Sequence, residues 1–125
     1  MKHSEGADLA AEHLQRAREA LAVGDQTAAV LWCNLCAETA VAHIASAQGI
    51  DVRNNHFRRA SAAKRLFEMD VLPEDFADLL LRLNNERKHA VYDGRSPDLR
   101  GRTWEEVLDQ LTVLVELAVK VGGPD

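Results

Sequence analysis

The sequence predicts an all-α protein, an up-and-down bundle of about five helices in one domain over residues 1–125. Apolar residues recur at helical spacing in five segments, and no segment alternates apolar and polar residues between turn signals as a half-buried strand does. The segment from Leu31 to Ile44 is apolar on nearly every side, which is typical of a central helix. A chain of 125 residues with 46% apolar and 28% charged residues has the size and composition of one globular domain.

The first two helices are predicted to form a hairpin, with helix one over about 8–23 and helix two over about 26–48. Gly24 suits the left-handed position that ends a helix, and Asp25 suits the N-cap of the next one. Gly49 closes helix two. The polar residues of helix two lie near one line on its surface, and they are Asn34, Glu38, Thr39 and His43.

Three more helices follow. Helix three is predicted over about 57–69 and helix four over about 74–92, with Pro73 in the first turn of helix four. Helix five begins at Thr103, whose spacing to Glu106 matches a capping box. It is expected to stop at Gly122-Gly123-Pro124.

Helix four carries an arginine, Arg87, in the middle of its apolar face. Burial of a charged side chain in that position destabilises the fold unless the charge is paired with an opposite charge or binds a ligand. Glu38 is the only acid in the middle of helix two, so a buried Arg87–Glu38 pair is expected, and a role for Arg87 in ligand binding stays open. Arg82 and His89 lie on the opposite, polar side of helix four.

The two cysteines, Cys33 and Cys36, have the C-x-x-C spacing of some redox and zinc sites. They lie inside an apolar helix without a preceding strand, and no second pair of ligands is present at a matching spacing. We therefore interpret them as small core residues, and we interpret His43 as a partly buried polar contact. No metal and no cofactor are expected.

Charge is unevenly distributed along a chain whose net charge is -5. The segment from Arg53 to Arg102 holds 11 Lys and Arg residues against 8 acids, so it carries +3, and the remainder carries -8. Such a segment either receives RNA or an acidic partner, or balances the acidic helices within the fold.

The sequence shows no signal peptide pattern, and no uninterrupted apolar stretch reaches the roughly 20 residues of a membrane-spanning helix. The cytoplasm is the expected location, and no membrane association is expected.

Two stretches resemble the HEPN family, which consists of small, usually dimeric all-α domains from bacterial toxin–antitoxin, abortive-infection and RNA-processing systems. The first stretch is AREALAVGDQTAAVLWCNLCAETAVAHIASAQG. It is similar to the opening hairpin of the family, and its consecutive residues Ala37 and Glu38 match an Ala-Glu pair in that hairpin. The second, similar to the signature helix, is LPEDFADLLLRLNNERKHAVYDG. The resemblance implies a homodimer, RNA or a nucleotide as ligand, and a nucleotidyltransferase-like antitoxin as partner.

The ribonucleases of that family carry an Arg-x(4–6)-His motif, and the Arg and His of two chains meet at the dimer interface. In this sequence Arg82 and His89 keep the spacing, but they lie on the polar face of helix four. Arg87 has Tyr92 where the histidine is expected. Tyrosine titrates near pH 10, so it is a poor base at neutral pH. We therefore expect weak or absent ribonuclease activity.

The sequence thus favours a HEPN-like dimeric domain that binds a nucleotide, an RNA or a protein partner without catalysis, through a groove at Arg87. The other binding candidates are Glu38, Asn34, Asn84 and Tyr92. The alternative is a metal-independent endoribonuclease toxin in which Arg82 or Arg87 holds phosphate and His89 moves protons. A purely structural homodimer or regulatory subunit is the third hypothesis.

Overall fold

The computed structural model describes residues 5–52 and 55–121, and these residues form helices and connecting turns without a strand. The five helices are α1 (Glu5–Ala22), α2 (Gln26–Ala47), α3 (His56–Glu68), α4 (Ala77–Tyr92) and α5 (Trp104–Val121). The prediction of an all-α helical bundle is confirmed. Arg53 and the predicted stop at Gly122-Gly123-Pro124 lie outside the described residues.

Helix α2 is the centre of the bundle, because it packs against all four other helices. Its buried residues are Ala29, Val30, Cys33, Asn34, Cys36, Ala37, Glu38, Ala40, Val41, Ile44 and Ala45. By length and composition alone α2 also meets the criteria for a membrane-spanning helix, although polar residues interrupt its apolar sequence at Asn34, Glu38 and His43. Most of that stretch is buried against the other helices, as is typical of the core helix of a bundle.

Local sequence signals set the ends of several helices. Gly24 ends α1 with a φ of 76°, a left-handed conformation that glycine adopts without a steric cost. The side chain of Asp25 caps α2 by accepting a hydrogen bond from the amide of Ala28 at 3.0 Å. Thr103 and Glu106 form the predicted capping box, with each side chain accepting a 3.0 Å hydrogen bond from the backbone N–H of the other residue.

Helix α4 begins at Ala77, three residues later than predicted, and Pro73 precedes the helix instead of lying in its first turn. Leu72 and Phe76 are both buried, so packing of these two side chains holds the segment in an irregular path. The carboxylate of Asp75 accepts a 2.9 Å hydrogen bond from the amide of Ala77 and supports the start of the helix.

The two cysteines are core residues, as predicted. Both are fully buried and unoxidised, and burial raises the pKa of the Cys33 and Cys36 thiols to about 12. A neutral thiol is a poor nucleophile and a poor metal ligand. Across residues 5–52 and 55–121, no three His, Cys, Asp or Glu side chains lie close enough together to hold a metal ion.

Candidate functional site

The α4–α5 loop (residues 93–103) lies against the polar side of α4. The backbone N–H of Asp98 donates to Glu86 Oε1 at 2.8 Å, and Arg102 Nη2 lies 2.9 Å from Asp78 Oδ2. Leu99 is buried and holds the middle of the loop against the core. The polar face of α4 therefore has a second wall, which this same chain supplies.

Between α4 and this loop is an open cavity of about 220 Å³, which we name the Arg82–His89 cavity. It is lined by Arg82, Asn85, Glu86, His89, Arg95, Ser96, Asp98 and Arg100. Three arginines and two carboxylates line the cavity, and a third carboxylate, that of Asp93, lies 2.9 Å from His89 Nδ1 and 3.6 Å from Arg95 Nη2. The sequence placed Arg82 and His89 on one polar face, and the structure brings them together in one cavity.

Glu86 positions the α4 side of the cavity. It is only 5% exposed, and its Oε2 accepts hydrogen bonds from Arg82 Nη1 at 3.3 Å and from Asn85 Nδ2 at 3.2 Å. A buried carboxylate is costly unless it is paired and hydrogen-bonded, and these donors meet that requirement together with the Asp98 amide. Arg82 is thereby held in one orientation.

His89 has two neighbours on its Nδ1 atom. Nδ1 lies 2.9 Å from Asp93 Oδ2 and also contacts Arg95 Nη2. One ring nitrogen either donates or accepts a hydrogen bond, so a proton on Nδ1 pairs with Asp93 and a lone pair on Nδ1 pairs with Arg95. The hydrogen bond from His89 is the largest cause that holds the pKa of Asp93 below its ordinary value.

Arg95 and Arg100 are the more accessible cations of the cavity. The side chain of Arg95 is 62% exposed, and Arg100 is also exposed. Arg100 has a φ of 52°, a left-handed conformation that non-glycine residues seldom adopt, and its N–H donates to Asp98 Oδ1 at 2.9 Å. A tight turn thus holds Arg100 at the rim.

A second cavity of about 310 Å³ lies between the start of α3 and α4, and we name it the Phe57 cavity. It is lined by Phe57, Asp78, Leu81, Arg82, Asn84, Asn85 and Lys88. Arg82 and Asn85 line both cavities, so the two cavities adjoin along α4.

The expected Arg87–Glu38 pair is not formed. Glu38 is buried, but its partners come from α3: His56 Nδ1 contacts one carboxylate oxygen, and Arg59 Nη1 lies 2.5 Å from the other. Arg87 is only partly buried, and its Nη2 donates to the amide oxygen of Asn84 at 3.1 Å. The helical wheel placed Arg87 in the middle of the apolar face of α4, but a wheel gives only a face and not the neighbouring helix that supplies the partner.

The other residues of the expected Arg87 groove do not assemble around Arg87 either. Tyr92 is 77% exposed at the end of α4, whereas Asn34 is 2% exposed inside the bundle. Among the described residues, Asn34 Oδ1 and Arg87 Nε are buried without a hydrogen-bond partner. Asn84 is the one candidate that contacts Arg87, and it also lines the Phe57 cavity.

Sequence reasoning missed several residues of the site. Glu86 and Asp93 were recognisable, because each lies four residues after a predicted site residue on the same helical face: Arg82 for Glu86 and His89 for Asp93. Arg95 and Arg100 had no such signal, since their positions depend on how the α4–α5 loop folds.

No family model, curated protein or solved structure matches this chain.

Proposed function

We propose that this chain is a HEPN-like binding module without catalytic function that holds phosphate groups of an RNA or nucleotide in the Arg82–His89 cavity. The observation that carries the proposal is the convergence of Arg82, Arg95 and Arg100 on one open cavity beside His89. Guanidinium groups bind phosphate oxygens in a bidentate manner, and they keep their charge at every physiological pH.

The acidic residues of the cavity support this proposal. Glu86 is buried behind Arg82 and satisfies one edge of its guanidinium, so Arg82 is oriented before a ligand arrives. Asp98 accepts a hydrogen bond from the backbone of Arg100 and stabilises the turn that carries this arginine. On a chain with a net charge of -5, such a local cluster attracts phosphate while the rest of the surface repels it.

The proposal is tested by fluorescence anisotropy with a labelled single-stranded RNA decamer, titrated with protein at several salt concentrations. We expect Arg95→Ala and Arg100→Ala each to weaken binding. Each should also reduce the slope of log affinity against log salt by about 0.7, because one phosphate contact is lost. Lys120→Ala is the matched control, since Lys120 is an exposed cation at the far end of α5. Equal affinities and slopes for all four proteins would contradict the proposal.

We further propose that the module is a cytoplasmic homodimer with a nucleotidyltransferase-like antitoxin as partner. The resemblance to HEPN domains supports the partner and the location. Two apolar side chains on the last turn of α4 support the dimer, because Val91 is 48% exposed and Tyr92 is 77% exposed. Light scattering should give twice the monomer mass of 13.8 kDa for the wild type. A monomer at micromolar concentration would exclude the dimer.

A second candidate function is metal-independent RNA cleavage, and one observation favours it. When Nδ1 of His89 donates to Asp93, the lone pair is on Nε2, which is the state a general base requires. Nε2 would then take the proton of a ribose 2′-hydroxyl while the arginines stabilise the charge that develops on phosphate. The 2′-oxygen would attack phosphorus, and the 5′-oxygen would leave and take up a proton from solvent, giving a 2′,3′-cyclic phosphate and a 5′-hydroxyl end. The proton on Nε2 would then be released to solvent.

Incubation of a mixed RNA pool with purified protein and a chelator separates the two functions. The binding module leaves the RNA intact. Robust cleavage that is lost in His89→Ala and reduced in Asp93→Asn would establish the ribonuclease instead, and would assign catalysis to the polar face of α4.

A further inference from the structure

Phe57 is a large aromatic residue on the surface of the first turn of α3, where 75% of it is exposed. It lines the Phe57 cavity together with Leu81, which is itself 41% exposed. A flat aromatic ring and an aliphatic side chain at one cavity form a surface on which a planar ligand stacks. The packing of the bundle does not use this ring.

The turn that carries Phe57 is fixed to the rest of the bundle. Asn55 caps α3 by accepting a 3.0 Å hydrogen bond from the amide of Arg58. The residues on either side of the ring, His56 and Arg59, contact the buried carboxylate of Glu38 on α2. Little backbone freedom would be lost when a ligand packs against Phe57, so binding costs less entropy than it would on a mobile loop.

Two asparagines also line the Phe57 cavity, and each uses one atom of its side-chain amide in a hydrogen bond within α4. Asn84 accepts from Arg87 through Oδ1, and Asn85 donates to Glu86 through Nδ2. Among the described residues, no further hydrogen bond is made by the Nδ2 donor of Asn84, which is 8% exposed, or by the Oδ1 acceptor of Asn85. An amide donor and an amide acceptor at one cavity are groups with which the edge of a nucleobase can pair.

We propose that the Phe57 cavity binds an unpaired base of a single-stranded RNA whose phosphate lies in the Arg82–His89 cavity. The inference rests on the proposed phosphate site and names its substrate class. Arg82 and Asn85 line both cavities, so base and phosphate belong to the same stretch of one strand. Lys88 adds an exposed cation beside the base.

Single-stranded RNA is the occupant because stacking on Phe57 requires an exposed base face. In a duplex, each base face is covered by its neighbours and the base edges are paired, so neither the ring nor the asparagines would reach them. Proteins that bind single strands combine a basic groove with aromatic side chains, and removal of such an aromatic weakens binding about tenfold to a hundredfold.

The test compares three labelled probes: an RNA decamer, an abasic ribose-phosphate chain of the same length, and an RNA duplex. Wild-type protein should bind the decamer most tightly. Phe57→Ala should weaken decamer binding by about tenfold to a hundredfold and leave binding of the abasic chain unchanged. Phe57→Tyr keeps the ring and should bind the decamer as the wild type does.

Phe67→Ala is the matched control, because Phe67 is a partly exposed phenylalanine on the same helix that does not line the cavity. It should bind all probes as the wild type does. Thermal unfolding of each variant verifies that the fold is retained, which is expected for Phe57→Ala because the ring is so exposed.

The outcomes separate this inference from the proposed function. If decamer and abasic chain bind equally and Phe57→Ala changes neither, the phosphate site stands and the base site is overturned. If wild-type protein binds none of the three probes, the proposed function fails and this inference fails with it. Preference for the duplex would also overturn the base site.

Discussion

Glu38 and Glu86 are buried to nearly the same degree, at 4% and 5% exposure, but they have different surroundings. Glu38 lies between α2 and α3 and contacts two cationic side chains, His56 and Arg59. Glu86 lies on α4 and is paired with one cation, one amide and one backbone N–H. The first cluster joins two helices, whereas the second forms the wall of an open cavity.

The difference shows which buried charge holds the fold and which one holds the site. Both side chains that contact Glu38 belong to α3, whereas Glu38 belongs to α2. This cluster therefore fixes how α3 packs on α2. Glu86 orients Arg82, and Arg82 lines both surface cavities. Substitutions at Glu38, Glu86, Arg100 and His89 test this distinction.

Replacement of Glu38 should destabilise the fold most. Glu38→Gln leaves Arg59 partly buried without its carboxylate, and we expect the free energy of unfolding to fall by about 3 kcal/mol. The value lies at the low end of the range for buried pairs, because the His56 side chain is 42% exposed and water screens it. Urea unfolding measures the change. Glu116→Gln, at an exposed position of α5, is the control and should change stability by less than about 0.5 kcal/mol. Equal effects of the two variants would show that the Glu38 cluster is not structural.

Replacement of Glu86 should lower the free energy of unfolding by less than replacement of Glu38, and its effect should be concentrated in the α4–α5 loop. Glu86→Gln weakens the hydrogen bond from the Asp98 amide, so we expect a loss of about 1–2 kcal/mol. Hydrogen exchange of that amide should become faster, while exchange in the middle of α2 follows only the overall loss of stability. A loss larger than that of Glu38→Gln would reverse the comparison.

Arg100→Gly separates stability from binding at a single residue. Glycine adopts the left-handed φ of 52° without the steric cost that arginine bears, so stability should stay within about 1 kcal/mol of the wild type or rise slightly. RNA binding should weaken, because the cation at the rim is lost. Unfolding and anisotropy on the same sample measure both properties. A variant that loses stability but keeps its affinity would assign Arg100 to the fold.

The smallest effect concerns the exposed Asp93. The hydrogen bond from His89, helped by the charges of His89 and Arg95, lowers the pKa of Asp93. A lowered carboxyl pKa means that this contact contributes stability above about pH 4, where an unfolded aspartate is ionised. The contribution is lost as the pH falls through the lower folded pKa. NMR titration of the Asp93 carboxyl carbon should show its pKa rising in His89→Ala. An unchanged pKa would show that the two side chains do not interact in solution.

The sequence was sufficient to predict structural features that depend on residues close together along the chain. Helix number, the Gly24 turn, the Asp25 cap and the central position of α2 follow from local patterns, and the structure confirms them. The partner of Glu38 could not be predicted, because a helical wheel gives a face but not the helix that packs on it. Arg82 and His89, which the sequence placed on one polar face of helix four, line the same cavity.

The rest of the site depends on tertiary structure. The second wall of the Arg82–His89 cavity is the α4–α5 loop. The path of this loop depends on the hydrogen bond from the Asp98 amide to Glu86 and on the left-handed backbone conformation of Arg100, and no sequence pattern predicts either feature. The exposure of Phe57 likewise depends on how α3 packs on α2.

In the function proposed above, the polar face of α4 and the α4–α5 loop together bind the phosphates of RNA. NMR chemical-shift mapping locates the RNA-binding surface, by titration of a single-stranded RNA decamer into isotopically labelled protein. We expect the shifted amides to cluster at Arg82, Asn85 and His89 on α4 and between Arg95 and Arg100 in the loop, with α1 and the far end of α5 unchanged. Shifts confined to α1 and α5, or no shifts at millimolar RNA, would contradict the claim.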